Sequence, residues 1–260
     1  MVTFSNKVYS KAKRYLLKSY LGLAIFRSLN RKKENFICPI CSYHGPFVNV
    51  HPETGIRKHA LCPKCGSAER HRLQYLVLRK IAVTYDLSKM SLIHFAPESF
   101  FQRYFRKVFG SYTSADLYNR NVDYKIDLRN IPFEDHSYDV VFASHVLEHI
   151  KEDTLAVSEI SRILKPSGIA IIPVPIVAHE TIEYPGPNLH DSGHVRVPGF
   201  DYYDRFSSFF GKIEKYNSKN FPEEYQLFLY EDRTLWPKTM PLRPIMQGTK
   251  HLDIVPVCYK

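Results

Sequence analysis

Apolar residues near the start of the chain recur at steps of three and four, with lysines between them. Over Val8 to Leu29 the apolar and aromatic set is Tyr9, Ala12, Leu16, Tyr20, Leu23 and Phe26. This spacing predicts an amphipathic helix. Its apolar side either packs against the protein or a partner, or enters the headgroup region of an anionic membrane, where each nearby basic residue contributes about 1 kcal/mol.

A second helical pattern starts near Ser67, and from residue 90 onward strand-like and helix-like runs alternate. The strand-like runs are Ser91 to Phe95, Tyr112 to Ala115, Tyr138 to Ser144, Ile169 to Val174, Lys212 to Tyr216 and Ile254 to Cys258. The helix-like segments are 99–108, 153–164 and 200–209. The alternation predicts an α/β fold with a mostly parallel sheet and helices on both faces. In such folds ligands bind at the carboxyl ends of the strands.

Composition and charge limit the classes of protein that fit this pattern. The chain has 260 residues, of which 44% are hydrophobic and 24% charged, enough for one full folded domain and a small module. The longest apolar run near the start, Leu21 to Phe26, is much shorter than a bilayer span, so we expect neither a transmembrane helix nor a signal peptide.

The net charge of +10 is concentrated at the start of the chain. Residues 1–33 contain nine basic residues and no acidic one, which leaves 27 basic against 26 acidic residues elsewhere. The pattern indicates a basic arm on a nearly neutral body. A nearly neutral body need not have a polyanionic substrate, because enzymes that act on nucleic acid usually carry their positive field around the active site.

Four of the five cysteines form two closely spaced pairs, Cys38 with Cys41 and Cys62 with Cys65. Paired C-x-x-C turns separated by twenty residues are typical of four thiolates around one structural zinc ion, and they place the protein in a reducing cytoplasm. The predicted organisation is a basic amphipathic arm (1–34), a small zinc ribbon with a connecting helix (35–88) and a catalytic α/β domain (89–260). If the arm does bind a membrane, the protein is peripheral there.

Two acidic residues stand where a nucleoside would need them. Asp116 ends the second strand-like run about twenty residues after the first, the usual place for a carboxylate that accepts from both ribose hydroxyls. Asp127 follows eleven residues later, where it can accept from an adenine amino group. The spacing alone leaves open that either residue is an ordinary loop carboxylate.

Further motifs follow in an order that is specific to one enzyme family. They are His145 to Ile150 (HVLEHI), Glu159 to Gly168 (EISRILKPSG) and Ile171 to Pro175 (IIPVP). Together they resemble the class I S-adenosylmethionine-dependent methyltransferases of the type 11 group, and the chain is similar to a bacterial subgroup with a C-P-x-C zinc module before the catalytic domain. The resemblance implies a seven-stranded Rossmann-like sheet whose last strand is antiparallel, and S-adenosylmethionine as cofactor.

The resemblance also assigns cofactor-binding positions. Asp116 matches the acid that holds the ribose hydroxyls, Asp127 with the backbone of Leu128 matches the adenine position, and Ser144 matches the end of the fourth strand, where the methyl donor faces its acceptor. The glycine-rich first motif is altered, because Ala96 replaces the first glycine and Glu98 the second. Glu98 either accepts from the α-ammonium group of the cofactor or is a solvated carboxylate at a helix start.

Histidines supply the candidate proton acceptors. His145 matches the same strand end as Ser144, and His194 lies in a long segment after the fifth strand with His190 and Arg196. We expect His145 or His194 to act as base, and His190 and Arg196 to bind the acceptor, whose carboxylate or phosphate Arg196 can pair with. A structural role for His145 at a helix start, and a second metal held by His190, Asp191 and His194, are the alternatives.

The sequence thus predicts methyl transfer to a small-molecule or sugar-like acceptor, at oxygen. One alternative is an RNA or protein methyltransferase that uses the zinc ribbon and basic arm to hold the macromolecule. The other is a binding module without catalysis, which the altered glycine motif would allow.

Overall fold

The computed structural model describes residues 17, 19–52, 56–232 and 250–260, apart from the side chain of His190. Of these, the residues up to Leu76 together with 218–232 and 250–252 form one compact unit, and residues 77–217 together with 253–260 form a second. None of the helices in the described ranges has both the length and the apolar character needed to cross a bilayer.

The second unit is built on a seven-stranded sheet. Its strands are β5 (Ser91–Phe95), β6 (Ser111–Asp116), β7 (Tyr124–Lys125), β8 (Tyr138–Ala143), β9 (Leu164–Ile171), β12 (Lys212–Asn217) and β15 (Ile254–Tyr259). Their order across the sheet is β12-β15-β9-β8-β5-β6-β7. The five strands β5 to β9 are parallel and β15 is antiparallel to β9 and β12, so the predicted fold class is confirmed.

Buried apolar strands and three helices make the core of this unit. Strand β5 is buried along almost its whole length, as expected for a central parallel strand covered on both faces. Helix α3 (Ser99–Val108) packs against β6, and α4 (Asp153–Ile163) packs against β9 with Ala156, Val157, Ile160 and Ile163 in the core. Helix α2 (Glu69–Thr84) leads into this unit from the first.

Several regions of the second unit differ from the sequence prediction. Strand β9 is Leu164–Ile171 where the prediction was Ile169 to Val174, and β7 was not predicted. The predicted helix over 200–209 is a 3₁₀ helix at Tyr202–Phe206, whose three aromatic residues are fully buried. The segment after β9, predicted as a long loop, forms a hairpin of β10 (Ile182–Asn188) and β11 (His194–Val197). Its proline and glycine residues, Pro185 to Pro187, conceal the strand pattern in the sequence.

The first unit contains helix α1, a two-stranded ribbon and a four-stranded sheet. Helix α1 is Tyr20–Leu29, and the ribbon pairs β1 (Phe36–Ile37) with β2 (His44–Gly45). The sheet has the order β14-β13-β4-β3, from β3 (Val48–Val50), β4 (Ile56–Leu61), β13 (Leu229–Asp232) and β14 (Lys250–His251). The last two strands come from the distant end of the chain.

Helix α1 confirms the described part of the predicted helix, while residues 8–16 and 18 of that prediction lie outside the described residues. Leu23 packs against the core of the first unit, and Arg27 stacks on Tyr43. Tyr20 and Leu29 are 91% and 80% exposed. Binding to an anionic membrane stays a prediction.

Arg72 is the polar centre of the first unit. Its guanidinium is fully buried, lies 4.6 Å from the ring centroid of Phe47, and donates to the carbonyl oxygens of Ala60, Ser67 and Gln226. These bonds connect β4, the second cysteine turn and the segment before β13. A buried charge is tolerated here because each carbonyl partner compensates for lost water.

We expect Arg72→Lys to lower the free energy of unfolding by about 2–5 kcal/mol, since a lysine cannot reach the same carbonyls and leaves them buried without donors. Chemical denaturation followed by circular dichroism measures this. Arg79→Lys, on the exposed side of the same helix, is the matched control and should change stability by less than about 0.5 kcal/mol. Equal stability of the two variants would contradict the central role of Arg72.

Candidate active site

A cavity of about 870 Å³ opens at the carboxyl ends of the central strands of the second unit. Ala96 after β5, Asp116 at the end of β6 and His145 after β8 stand on its wall, together with residues of the β10–β11 hairpin such as Gly186. This is where ligands bind in open α/β sheets. The size lies within the range of about 300–1,000 Å³ typical of small-molecule sites.

Two of the wall residues have a left-handed backbone. Ala96 has a φ of 48° and donates from its N–H to Ala115 O at 2.9 Å. His145 has a φ of 58° and donates from its N–H to Pro173 O at 2.8 Å. A residue with a Cβ pays about 1–2 kcal/mol for this conformation. Ala96 thus adopts the left-handed backbone that a glycine would favour, although it is not a glycine.

Asp116 forms the cavity wall next to Ala96. Its half-buried carboxylate accepts from the N–H groups of Tyr118 and Asn119, both at 2.7 Å. Because only Oδ1 is engaged in these bonds, Oδ2 remains able to accept hydrogen bonds from a ligand's hydroxyl groups.

Asp127 and Leu128 also line the cavity, with an arginine that the sequence analysis did not single out. Arg129 binds both carboxylate oxygens of Asp127, at 3.1 and 2.7 Å, and Glu152 at 2.8 Å. The Arg129 side chain holds the pKa of Asp127 below its ordinary value. The only sequence signal for the Asp127–Arg129 pair was the two-residue separation, which is common in exposed turns.

Glu98 and Ser144 are not part of the cavity wall in the described residues. Glu98 precedes α3 as its N-terminal cap residue, without a side-chain capping bond. Ser144 is buried directly before His145. Their predicted contacts with the cofactor stay predictions.

His145 lies beside a buried carboxylate. Its Nδ1 is 3.5 Å from Oε1 of Glu148, whose side chain is 1% exposed. Burial alone would raise the pKa of Glu148, but the neighbouring His145 more than offsets this and the pKa is lowered. His149 follows on the cavity wall, and burial lowers the pKa of its imidazole.

His194 is buried next to this group, although it does not itself line the cavity. Its ring meets that of His149 edge-on, with centroids 4.6 Å apart, and its Nδ1 lies 3.5 Å from Oδ2 of Asp191. The structure therefore brings His145, Glu148, His149 and His194 together. The side chain of His190 lies outside the described residues.

Arg196 is directed into the protein rather than towards the cavity. It is 1% exposed and donates to the carbonyl oxygens of Leu147, Ile150 and Lys151 at 2.6–2.9 Å. It also pairs with the carboxylates of Asp153 and Glu183. Its observed role is to hold the loop after β8, six of whose residues line the cavity.

The four paired cysteines of the first unit converge as predicted. Sγ of Cys38 lies 3.6 Å from Sγ of Cys65, and Sγ of Cys41 lies 3.6 Å from Sγ of Cys62. Four sulfurs at about 2.3 Å from one zinc ion lie about 3.8 Å apart, so the cluster has the dimensions of a tetrahedral zinc site. Cys258 is buried separately in the sheet of the second unit.

Comparison with known proteins supports the catalytic class. Residues 98–172 match the methyltransferase domain family (Methyltransf_11). No curated protein matches the sequence.

Solved structures similar to this chain include three methyltransferases. A putative methyltransferase of Bacillus halodurans is 13% identical, with 70% of this chain and 97% of that one covered and a TM-score of 0.47. An S-adenosylmethionine-dependent methyltransferase of Mesorhizobium loti is 12% identical, with 74% and 100% covered and a TM-score of 0.47. A phosphoethanolamine N-methyltransferase of Haemonchus contortus, solved with S-adenosylhomocysteine, is 18% identical, with 72% and 52% covered and a TM-score of 0.48.

The family match covers α3 to β9, the part of the sheet that carries Asp116, Asp127 and His145. The cavity lies at the carboxyl ends of the same strands. The second unit thus combines a match to the methyltransferase domain family over residues 98–172 with a cavity at the carboxyl ends of its strands.

Proposed function

We propose that the protein is an S-adenosylmethionine-dependent methyltransferase. It methylates an oxygen of a small-molecule or sugar-like acceptor, with both the cofactor and the acceptor in the cavity of the second unit. The observation that carries this proposal is the position of Asp116 and His145 on one cavity wall, at the ends of two strands separated by β5. The nucleoside and the reacting group would then lie on opposite sides of Ala96.

The wall residues fit S-adenosylmethionine. The carboxylate of Asp116 would accept from the ribose hydroxyls, and the planar Arg129 with Asp127 offers a stacking surface and an acceptor for adenine. When bound, the cofactor supplies a methyl group on a positively charged sulfur. The chain has to align the acceptor with that methyl and remove the acceptor's proton.

His145 is the proposed proton acceptor. Glu148 faces its Nδ1, so a proton on that nitrogen leaves Nε2 with a free lone pair. Among the described residues, Nε2 is buried and has no hydrogen-bond partner, so the acceptor would have to approach it from the cavity that His145 lines. The acceptor is proposed to be small because the β10–β11 hairpin forms part of the cavity wall.

Titration calorimetry with S-adenosylmethionine and S-adenosylhomocysteine tests the cofactor site. We expect Asp116→Ala to weaken the binding of both ligands by at least about tenfold, because two charge-assisted hydrogen bonds are lost. Asp116→Asn, which retains an acceptor for the turn, should weaken them less. Glu134→Ala, an exposed carboxylate outside the cavity, is the control. Unchanged affinity in Asp116→Ala would contradict the ribose assignment.

Transfer of a radiolabelled methyl group tests the acceptor class. Zinc-loaded enzyme is incubated with labelled cofactor and separate fractions of small metabolites, RNA and protein, and we expect label in the small-metabolite fraction. His145→Gln should slow transfer about 10²-fold without changing S-adenosylhomocysteine affinity, since a general base affects the chemical step. Label in RNA or protein alone would favour the macromolecular alternative.

We also propose that zinc in the cysteine cluster is structural, because four cysteines close its coordination shell. Cys62→Ala should lose one zinc equivalent and destabilise the first unit, measured by elemental analysis and thermal unfolding. Cys258→Ala removes a thiol outside the cluster and should retain that zinc. Equal zinc content in the two variants would contradict the assignment.

A further inference from the structure

Two histidines and a glutamate lie close together beside the cavity. They come from two segments far apart in the sequence, so local backbone structure alone does not explain their proximity. One oxygen of Glu148 and one ring nitrogen each of His149 and His194 lie within 4.8 Å of one another. Glu148 and His149 come from the 3₁₀ turn after β8, whereas His194 begins β11. Contacts between β11 and this turn bring the three side chains together.

The environment of Glu148 favours a bound cation. Its side chain is 1% exposed, and within the described ranges no hydrogen-bond donor reaches Oε2, while His145 faces Oε1. A buried carboxylate oxygen without a partner is costly unless something positive binds it. One ring nitrogen of His149 and one of His194 lie close enough to a Glu148 oxygen to share an ion with it.

The neighbouring residues favour a metal ion over a simple ion pair. Oδ2 of Asp191 lies 3.5 Å from Nδ1 of His194 without a hydrogen bond between them in the described residues. Metal binding through the other ring nitrogen would give this carboxylate the orienting role that carboxylates have beside metal-binding imidazoles. Arg196 holds the carbonyls of the turn that carries Glu148 and His149. The supports and two of the three ligands, Glu148 and His194, are therefore fixed by buried contacts, while His149 is exposed at the cavity wall.

We propose that Glu148, His149 and His194 bind a divalent transition-metal ion at the acceptor end of the cavity. Three ligands at about 2.0–2.2 Å lie about 3.0–3.5 Å apart, so small side-chain rotations close the observed arrangement around one ion. A site of two imidazoles and one carboxylate leaves positions open, as in catalytic zinc sites. His149 is on the cavity wall, so an open position would be accessible to an oxygen of the acceptor. That use of the ion rests on the proposed function, whereas metal binding does not.

Cobalt(II) is a suitable probe because its spectrum identifies its ligands. The full-length protein is first loaded with one equivalent of zinc to fill the cysteine cluster and is then titrated with Co²⁺. We expect one further ion per chain, with weak d–d bands and no thiolate-to-cobalt charge transfer. Glu148→Gln and His149→Ala should each weaken binding at least tenfold. His149 is exposed, so its variant should fold, which circular dichroism checks. His51→Ala, an exposed histidine of the first unit, is the control.

The proposal is overturned if the zinc-loaded protein binds no Co²⁺, if both variants bind it as the parent does, or if it binds with thiolate charge transfer alone. Titration of the same samples with S-adenosylhomocysteine separates this result from the proposed function. Cobalt binding without cofactor binding supports the metal site and contradicts the cofactor cavity, and the reverse contradicts the metal site alone.

Discussion

The parallel register of β5, β6 and β8 is the constraint on which the candidate active site depends. Phe95 pairs with Ala115 on one side and with Ala143 on the other, so the next residues of all three strands reach the same edge of the sheet. Ala96 and His145 leave that edge through left-handed turns. These turns hold the backbone in strained conformations, which the hydrogen bonds of the sheet maintain and which a functional site can use.

A buried arginine of the β10–β11 hairpin fixes the loop after β8. Arg196 on β11 binds three carbonyls of the loop after β8, and a guanidinium with this many fixed partners restricts the loop strongly. The hairpin therefore does more than close one side of the cavity. It places His194 against His149 and Glu148, and so connects the cavity wall after β8 to a segment more than forty residues further along the chain.

The two units are stabilised by different means. The second has a continuous apolar core between its sheet and helices. The first has a small core around the cysteine cluster, in which Cys38 and Cys62 pack with Phe36, Tyr43 and Phe47, and in which Arg72 supplies many of the polar connections. A small unit with few apolar side chains depends on such polar connections because the hydrophobic area it buries is limited.

The sequence by itself determined the α/β class, the strands β5, β6, β8 and β15 to within a residue or two, the cysteine cluster and the candidate wall residues Ala96, Asp116 and His145, because these follow from periodicity, local spacing and a family's ordered motifs. It did not show the β10–β11 hairpin, the pairing of β13 with β4 and β14, the inward direction of Arg196, or the group formed by Glu148, His149 and His194. These depend on contacts between residues far apart in the chain. Local pattern contains no information on them, so only the tertiary structure decided them.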